Sequence, residues 1–415
     1  MMLDIGAMVA TMLDFGKTGL KNISPKSTSL IIIMTFSLLL TGCWDNRDVT
    51  EINLVTAIGV DKTPDERVEI IFEIPRPSLT RTGQGGGGGG SSQEKAVTIV
   101  SSEGDTTFIA GRSMAEKLAK GIFSSKMELL LIGEELARGG LKEVLDLMER
   151  DPEASMTAQV LLVKGVPVKQ VMEAESKQEK IPSLHLVKSI TVNQDSYGSS
   201  KEARVIDVLR EVALPGKDPL IPVVEILEAE DELKVKNMLV SGSAVFRGDK
   251  LAGYLTATET RGWLLTENKV KASVYSLPSP NNEEENISFE MYSQTGQKKV
   301  EFLDGEPKLL IKIKVAGNIG ESQEPADLTQ RQMLEKLQAG IEEIIRKEVV
   351  SALNTAQEYQ SDVFGFGDII HRKHPQEWRK LQDKWPEIFS KAPTEITVDV
   401  KLERSGYTRK GIAPV

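Results

Sequence analysis

The sequence predicts an α+β fold of three domains, each a mostly antiparallel or mixed sheet packed with helices, after an N-terminal signal peptide. Segments in which apolar and polar residues alternate, such as 67–74 and 308–317, indicate strands with one covered face. Such strands are typical of antiparallel or mixed sheets. Helical segments lie between them in a pattern that favours α+β over a doubly wound parallel sheet.

The N-terminus has the three parts of a secretory signal peptide. Three lysines precede an apolar core at residues 30–40, and small residues follow it. The core is shorter than the roughly 20 apolar residues that a membrane-spanning helix needs, and we find no second stretch long enough. We therefore expect residues 1–42 to be removed, so that the mature chain begins at Cys43, the only cysteine.

The first predicted domain covers residues 43–198. Expected strands lie at 54–62, 67–74, 95–102, 129–132 and 158–165, with helices at 106–120 and 139–153. In the second strand one face carries Val68, Ile70, Phe72 and Ile74, and the other carries Glu69 and Glu73. A Gly-rich loop at 83–92, of the flexible linker type, joins two strands of this domain.

The middle domain is predicted at 199–278 and the C-terminal domain at 279–415. The middle domain contains helices near 203–212 and 257–265. The C-terminal domain contains alternating strands at 308–317 and 395–403 and a long helix at about 327–359. We expect the apolar stripe of this helix to pack on the sheet of the same domain. The stripe consists of Leu334, Leu337, Ile341, Ile344, Ile345, Val349 and Leu353. A coiled coil is disfavoured, since the heptad fails at Glu348.

The charge balance narrows the choice of partners. The formal net charge is −10 at pH 7. This disfavours nucleic acid, whose phosphates favour basic patches. It also disfavours electrostatic docking on anionic lipid, which needs clusters of Lys and Arg.

Catalytic motifs are incomplete, so we expect no enzyme, no catalytic residue and no cofactor apart from covalent lipid. "FGKTG" at 15–19 lacks the first glycine of a P-loop, and "GRSMA" at 111–115 lacks the last glycine of a hydrolase elbow. His371 and His374 could share a helix face with Asp368 nearby, but zinc sites need three or four ligands. We therefore interpret both histidines as polar surface residues and expect no metal.

Several segments resemble the Ger(x)C lipoproteins, the C subunits of the nutrient-germinant receptors of endospore-forming bacteria. Leu40-Thr41-Gly42-Cys43 resembles a bacterial lipobox, and "CWDNRDVTEINLVTAIGVD" resembles the mature start of the family. Similarity continues in "KMELLLIGEELARGGLKEVLDLMERDPE" and "GSAVFRGDKLAGYLTATETRGWLL". The segment "DVFGFGDIIHRKHPQEWRKLQDKWPEIF" resembles the C-terminal hallmark of the family. The resemblance covers nearly all of the mature chain.

Membership implies a diacylglycerol on the sulfur of Cys43 and a place on the outer face of the spore inner membrane. It also implies a complex with the A subunit and the transporter-like B subunit, in which nutrient binding triggers germination. Two acyl chains anchor a protein stably where one holds it only marginally. The lone cysteine is thus expected to be the point of lipid attachment.

Other interpretations stay open at this stage. A lipid-anchored solute-binding protein that captures the nutrient itself would favour two lobes with a cleft between them. Within the hallmark, we expect Phe364 and Phe366 to be buried beneath the long helix and a short helix to dock on the C-terminal sheet. A partner-docking role for His371, Arg372 and His374 is the alternative, since exposed loop residues often carry function.

Deletion of the glycine run 85–90 is expected to change stability little. Each doubling of loop length costs only about 0.6 kcal/mol, because closure entropy grows slowly. The measurement is thermal unfolding, with a Ser/Gly run of unchanged length as the control. A large loss of Tm in the deletion alone would show that the loop is ordered and packed.

Overall fold

The computed structural model of the chain describes residues 49–77, 95–174, 178–227, 237–323 and 330–404. The chain divides into two compact units, Met1–Ile52 and Asn53–Val415. The strands and helices described below lie in the larger unit, apart from Ile52, the first residue of the first strand. The signal peptide, Leu40, Thr41, Gly42, Cys43 and the Gly-rich loop 83–92 lie outside the described residues.

The strands are numbered in chain order. They are β1 (Ile52–Leu54), β2 (Ala57–Lys62), β3 (Val68–Pro75), β4 (Val97–Gly104), β5 (Gly121–Phe123), β6 (Leu129–Gly133), β7 (Gln159–Val163), β8 (Leu220–Leu227), β9 (Asn237–Arg247), β10 (Lys250–Leu255), β11 (Ser273–Pro278), β12 (Asn286–Leu303), β13 (Glu306–Ser322) and β14 (Thr394–Arg404).

The α-helices are numbered in the same way. They are α1 (Thr107–Ser113), α2 (Glu134–Gly139), α3 (Lys142–Arg150), α4 (Val168–Met172), α5 (Pro182–Ser196), α6 (Val205–Ala213), α7 (Ala257–Thr266), α8 (Arg331–Glu358), α9 (Phe366–Lys373), α10 (Pro375–Leu381) and α11 (Trp385–Lys391). The long helix predicted at about 327–359 corresponds to α8.

The first sheet is mixed and has the order β10-β9-β8-β7-β6-β2-β3-β4 within the described residues. Its centre, β2-β6-β7-β8, is parallel, and the flanking pairs are antiparallel. Strands from both sides of the border predicted near residue 199 therefore share one sheet. The α+β fold with mixed sheets is confirmed, while the division into three domains stays a prediction.

Helices cover both faces of the centre of this sheet, whereas the sequence pattern predicted one covered face. Leu130 and Ile132 belong to one apolar cluster, and Leu129 and Leu131 belong to another, on the opposite face. The predicted outer face of β3 is also covered at Glu73, which is 0% exposed. Its carboxylate accepts hydrogen bonds from the hydroxyls of Thr56 and Ser183, which compensate for its burial.

The second sheet has the order β11-β12-β13-β14 and one covered face, as predicted. The strands β13 and β14 are parallel, and the other pairs are antiparallel. Ile311 and Ile313 face α8 and are buried, while Lys312 and Lys314 between and after them are exposed. The packing of α8 on its own sheet is confirmed, since its buried residues belong to the same cluster as those of β13.

Glu348, where the heptad of α8 fails, is 6% exposed. It forms an ion pair with Arg261 of α7, whose Nε lies 2.9 Å from Oε2 of Glu348. The guanidinium carbon of Arg261 also lies 4.5 Å from the ring centroid of Tyr275. The break in the apolar pattern is thus a buried ionic contact between α7 and α8, because a buried carboxylate needs a partner.

Candidate functional site

The site is built around the segment that follows α8, which carries the hallmark "DVFGFGD". Gln360 turns the chain with a positive φ of 53°. Ser361 then donates a hydrogen bond from its hydroxyl to the carbonyl of Phe246 in β9. The carbonyl of Val363 accepts a bond of 3.0 Å from the indole N–H of Trp263 in α7. Contacts with the first sheet and with α7 therefore fix this segment from its first residues.

The buried carboxylate of Asp362 organises the next two helices. Its Oδ2 accepts the backbone N–H of Gly367 at 2.7 Å and the indole N–H of Trp385 at 3.0 Å. The first donor lies in the first turn of α9, and the second begins α11. One oxygen atom thus ties the starts of both helices to the end of α8.

A reciprocal contact joins Asp362 to Asp218, which precedes β8. The N–H of Asp362 donates to Oδ2 of Asp218 at 2.8 Å, and the N–H of Asp218 donates to the carbonyl of Asp362 at 3.1 Å. The other oxygen of Asp218 accepts the N–H of Gly248 in the β9–β10 turn at 2.7 Å. We name Asp218, Gly248, Asp362, Gly367 and Trp385 the carboxylate joint. It connects the first sheet to the C-terminal helices.

The electrostatics of the joint follow from its burial. The pKa of the Asp362 carboxyl is raised from 3.8 to about 6, mainly by burial and to a smaller extent by the charge of Asp218, against the N–H groups that lower it. Burial also raises the pKa of Asp218, while the N–H groups of Gly248 and Asp362 and the charge of Arg247 oppose the rise. The positive charge of Arg247 thus offsets the charge of Asp218, whereas the main interactions of Asp362 within the described residues include no positive charge.

Glycines allow the backbones at the joint to approach closely. A Cβ on Gly216 would lie 2.6 Å from the carbonyl carbon of Gly367 and 2.6 Å from Cη2 of Trp378. Gly365 has a φ of 73°, in the left-handed region that glycine adopts without strain. The glycines of the hallmark therefore have a packing role and a turn role.

Aromatic side chains fill the space beneath the segment, as predicted. Phe364 and Phe366 are 1% and 0% exposed, and their rings stack with centroids 6.2 Å apart. Trp378 and Trp385 meet edge to face at 5.7 Å. They lie on separate helices, α10 and α11.

The residues predicted as a docking surface lie at the exposed end of α9 and just after it. Arg372 forms an ion pair of 2.9 Å with Asp368 one turn earlier. His371 contacts the ring of Trp378 at 6.1 Å between centroids, and His374 contacts Phe302 of β12 edge to face at 5.4 Å. The three side chains are exposed, but each has a local contact, so the patch is more ordered than the sequence suggested.

Sequence reasoning missed residues 215–218. The "PGKDP" stretch carries Pro-Gly and Asp-Pro dipeptides, which signal turns. No local signal identifies the partner of Asp218, which lies 144 residues along the chain. The contact is therefore visible only in the folded chain.

A buried ion cluster beside the joint was also missed. Lys201 has a side chain that is 2% exposed, and its Nζ lies 3.6 Å from Glu211 Oε2. Its ammonium is 5.1 Å from the ring centroid of Trp263, and burial lowers its pKa. The same Glu211 pairs with Lys217 at 3.0 Å, immediately before Asp218. Removing one partner of such a cluster is costly, because it leaves a buried charge uncompensated.

The described ranges contain no group of three or more His, Cys, Asp or Glu side chains arranged to hold a metal ion. His371 and His374, the metal candidates of the sequence, face aromatic rings instead. In the same part of the chain, no helix combines the length and the apolar character that crossing a membrane requires.

The fold and the site define an α+β protein with two large mixed sheets, of eight and four strands in the described residues. A buried carboxylate joint connects these sheets through a C-terminal helical segment. Two family models match successive parts of the chain. "Spore germination protein N-terminal domain" matches residues 45–226, and "Spore germination B3/GerAC like, C-terminal" matches residues 241–406. The chain belongs to the Ger(x)C family of spore germination proteins.

Relatives in Bacillus subtilis (strain 168) match over almost their whole length. Spore germination protein KC is 26% identical, over 92% of this chain and 97% of its own. Spore germination protein B3 is 24% identical, over 93% and 100%, and spore germination protein A3 is 24% identical, over 91% and 97%. The crystal structure of the GerBC protein aligns with a TM-score of 0.53 at 20% identity, over 83% of this chain and 96% of its own. That likeness supports the fold.

Replacement of Phe366 by alanine is expected to destabilise the protein by roughly 3–5 kcal/mol, because the ring is fully buried and leaves a cavity. The measurement is the free energy of unfolding in denaturant. Phe108→Ala is the control, since Phe108 is 55% exposed and should cost about 0.5 kcal/mol or less. Equal stabilities of the two variants would contradict a structural role for the hallmark.

Proposed function

We propose that the protein is a membrane-anchored lipoprotein subunit of a spore germinant receptor, needed for the germination response to nutrients, and that it acts by assembly with the A and B subunits. The observation that carries the proposal is the ordered match of both family models, over residues 45–226 and 241–406. The names of the relatives, spore germination proteins KC, B3 and A3, agree with a role in germination. In this role the protein is a binding subunit and not an enzyme.

Cys43 is the proposed anchor. The sequence around it, an apolar core followed by Leu40-Thr41-Gly42, supports processing at this residue and attachment of diacylglycerol. An acidic chain with a formal charge of −10 gains little from anionic headgroups, so a covalent anchor is the physical means of attachment. The proposed location is the extracytoplasmic face of the spore inner membrane.

Cys43→Ala is expected to abolish lipid attachment and weaken germination, because alanine has no sulfur to receive the diacylglycerol. The measurements are membrane fractionation, the mass of the N-terminal peptide and a germination assay. Asn46→Ala, which keeps the thiol three residues away, is the control and should stay in the membrane. A processed Cys43→Ala protein that still needs detergent for extraction would contradict the lipoprotein assignment.

His371, Arg372 and His374 form the proposed docking surface for a partner subunit. They lie on the exposed side of α9, opposite the buried Phe366 and Ile370, so the helix presents them without losing its packing. Lys373 beside them has no ion-pair partner among the described residues. The positive charges fit a carboxylate-bearing segment of the A or B subunit, since opposite charges steer and orient an encounter.

Exchange of His371, Arg372 and His374 for serine is expected to leave the protein folded and to reduce its co-purification with the A and B subunits. Two ring contacts are lost, each worth about 0.5–1.5 kcal/mol beyond buried area. The exposed Arg372–Asp368 ion pair is also lost, at a cost of about 1 kcal/mol or less. The measurements are thermal unfolding, co-purification from spore membranes and germination.

The control for this exchange is the serine triple variant of Arg331, Arg346 and Lys347, which are exposed basic residues of α8. It should keep both subunits bound. If the α9 variant is folded and retains the subunits as well as the α8 variant does, partners do not use this surface.

A further inference from the structure

The carboxylate joint places two acidic side chains in one buried contact. Asp362 is buried and Asp218 is half-buried, and each backbone N–H donates to the other residue. Like charges so close together in a poorly solvated site disfavour double ionisation. The pair therefore binds a proton more readily than two separate surface carboxylates do.

The hydrogen bonds of Asp362 leave room for that proton. Both donors, Gly367 N–H and Trp385 Nε1–H, reach Oδ2. Oδ1 is buried and has no hydrogen-bond partner among the described residues. The backbone N–H of Phe366 also stabilises the ionised carboxylate and so lowers its pKa. A proton on Oδ1 removes the buried charge and leaves both bonds to Oδ2 in place.

The charged groups around the pair do not neutralise it. Arg247 acts on Asp218, and Lys217 lies close enough to respond to Asp362, but the Lys217 ammonium is bound to Glu211 at 3.0 Å. On the side of β12, the ammonium of Lys298 pairs with Glu267 and donates to the carbonyl of Phe364. On the helical side, Asp368 is paired with Arg372, and His371 contacts Trp378, which in turn contacts Trp385.

We propose that the carboxylate joint is a proton-dependent clasp, in which uptake of one proton by the Asp218–Asp362 pair tightens the contact between the first sheet and the C-terminal helical segment. The contact matters because α9 carries the proposed docking surface and is tied to the first sheet through this pair. The clasp itself does not depend on the proposed function.

The direction follows from linkage. The pKa of Asp362 is about 6 in the joined state and 3.8 when the carboxyl is free in water. Stabilisation of the joined state is therefore full below about pH 3.8 and is lost as the pH rises through about 6. A difference of this size corresponds to a change on the order of 100-fold in the equilibrium between joined and opened states.

The test uses the four indole N–H signals of the tryptophans in full-length, ¹⁵N-tryptophan-labelled protein in detergent micelles. Trp385→Phe assigns the signal of Trp385. In the wild type, we expect this signal to titrate with a midpoint near pH 6, because the indole donates to Asp362. In Asp362→Asn, whose amide oxygen keeps the acceptor but cannot titrate, the signal should stay constant.

Two outcomes would overturn the clasp. A wild-type midpoint below pH 4.5 would show that the pair is not a proton acceptor near neutrality. A titration that persists unchanged in Asp362→Asn would show that Asp362 is not the group that the indole signal reports. Asp218→Asn is a second check, since loss of the neighbouring charge should move the midpoint to lower pH.

Thermal unfolding gives an independent readout. Between pH 5 and pH 7.5, the wild type should lose Tm relative to Asp362→Asn. Asp383→Asn, which removes an exposed carboxylate from the same C-terminal segment, should follow the wild type at every pH. Parallel curves for the wild type and Asp362→Asn would refute the proposal, whatever the absolute stability of either variant.

Discussion

The reciprocal hydrogen bonds between Asp218 and Asp362 are the constraint on which the rest of the site depends. Two carboxylates lie in a region from which water is largely excluded, and their ionised forms are costly there. Backbone N–H groups of three segments compensate for this cost. Because every one of these bonds is directional, the starts of α9 and α11 have little freedom relative to the first sheet.

Buried charge recurs at the contacts between elements of this protein. The Arg261–Glu348 pair joins α7 to α8, Lys201 and Lys217 share Glu211 beside the joint, and Glu73 is held by two hydroxyls. Buried ion pairs often contribute little net stability against apolar residues of the same volume, yet losing one partner is costly. Such contacts therefore fix which elements meet more than they increase the free energy of unfolding.

The proposed receptor role assigns different tasks to the two ends of the chain. The lipid on Cys43 would hold the protein at the membrane, and α9 would present basic side chains to a partner subunit. The carboxylate joint holds α9, with these basic side chains, in a defined position relative to the first sheet.

The sequence by itself determined the local features. Alternation and helical periodicity identified β13 and β14 of the second sheet, as well as α8 and its packing face. The order of motifs identified the family, as the matches over residues 45–226 and 241–406 confirm. Burial of Phe364 and Phe366 was also predicted from the sequence of the hallmark. These features depend on residues close together in the chain.

Only the tertiary structure decided which distant segments meet. A strand that helices cover on both faces has apolar residues on both faces. Its sequence therefore lacks the alternation that distinguishes a covered face from an exposed one, and the second covered face of the first sheet was missed. Glu73 and Glu348 looked like surface residues because a pattern cannot show that a partner arrives from a remote segment. Asp218 contacts Asp362 across 144 residues of sequence, and that pairing exists only in the folded chain.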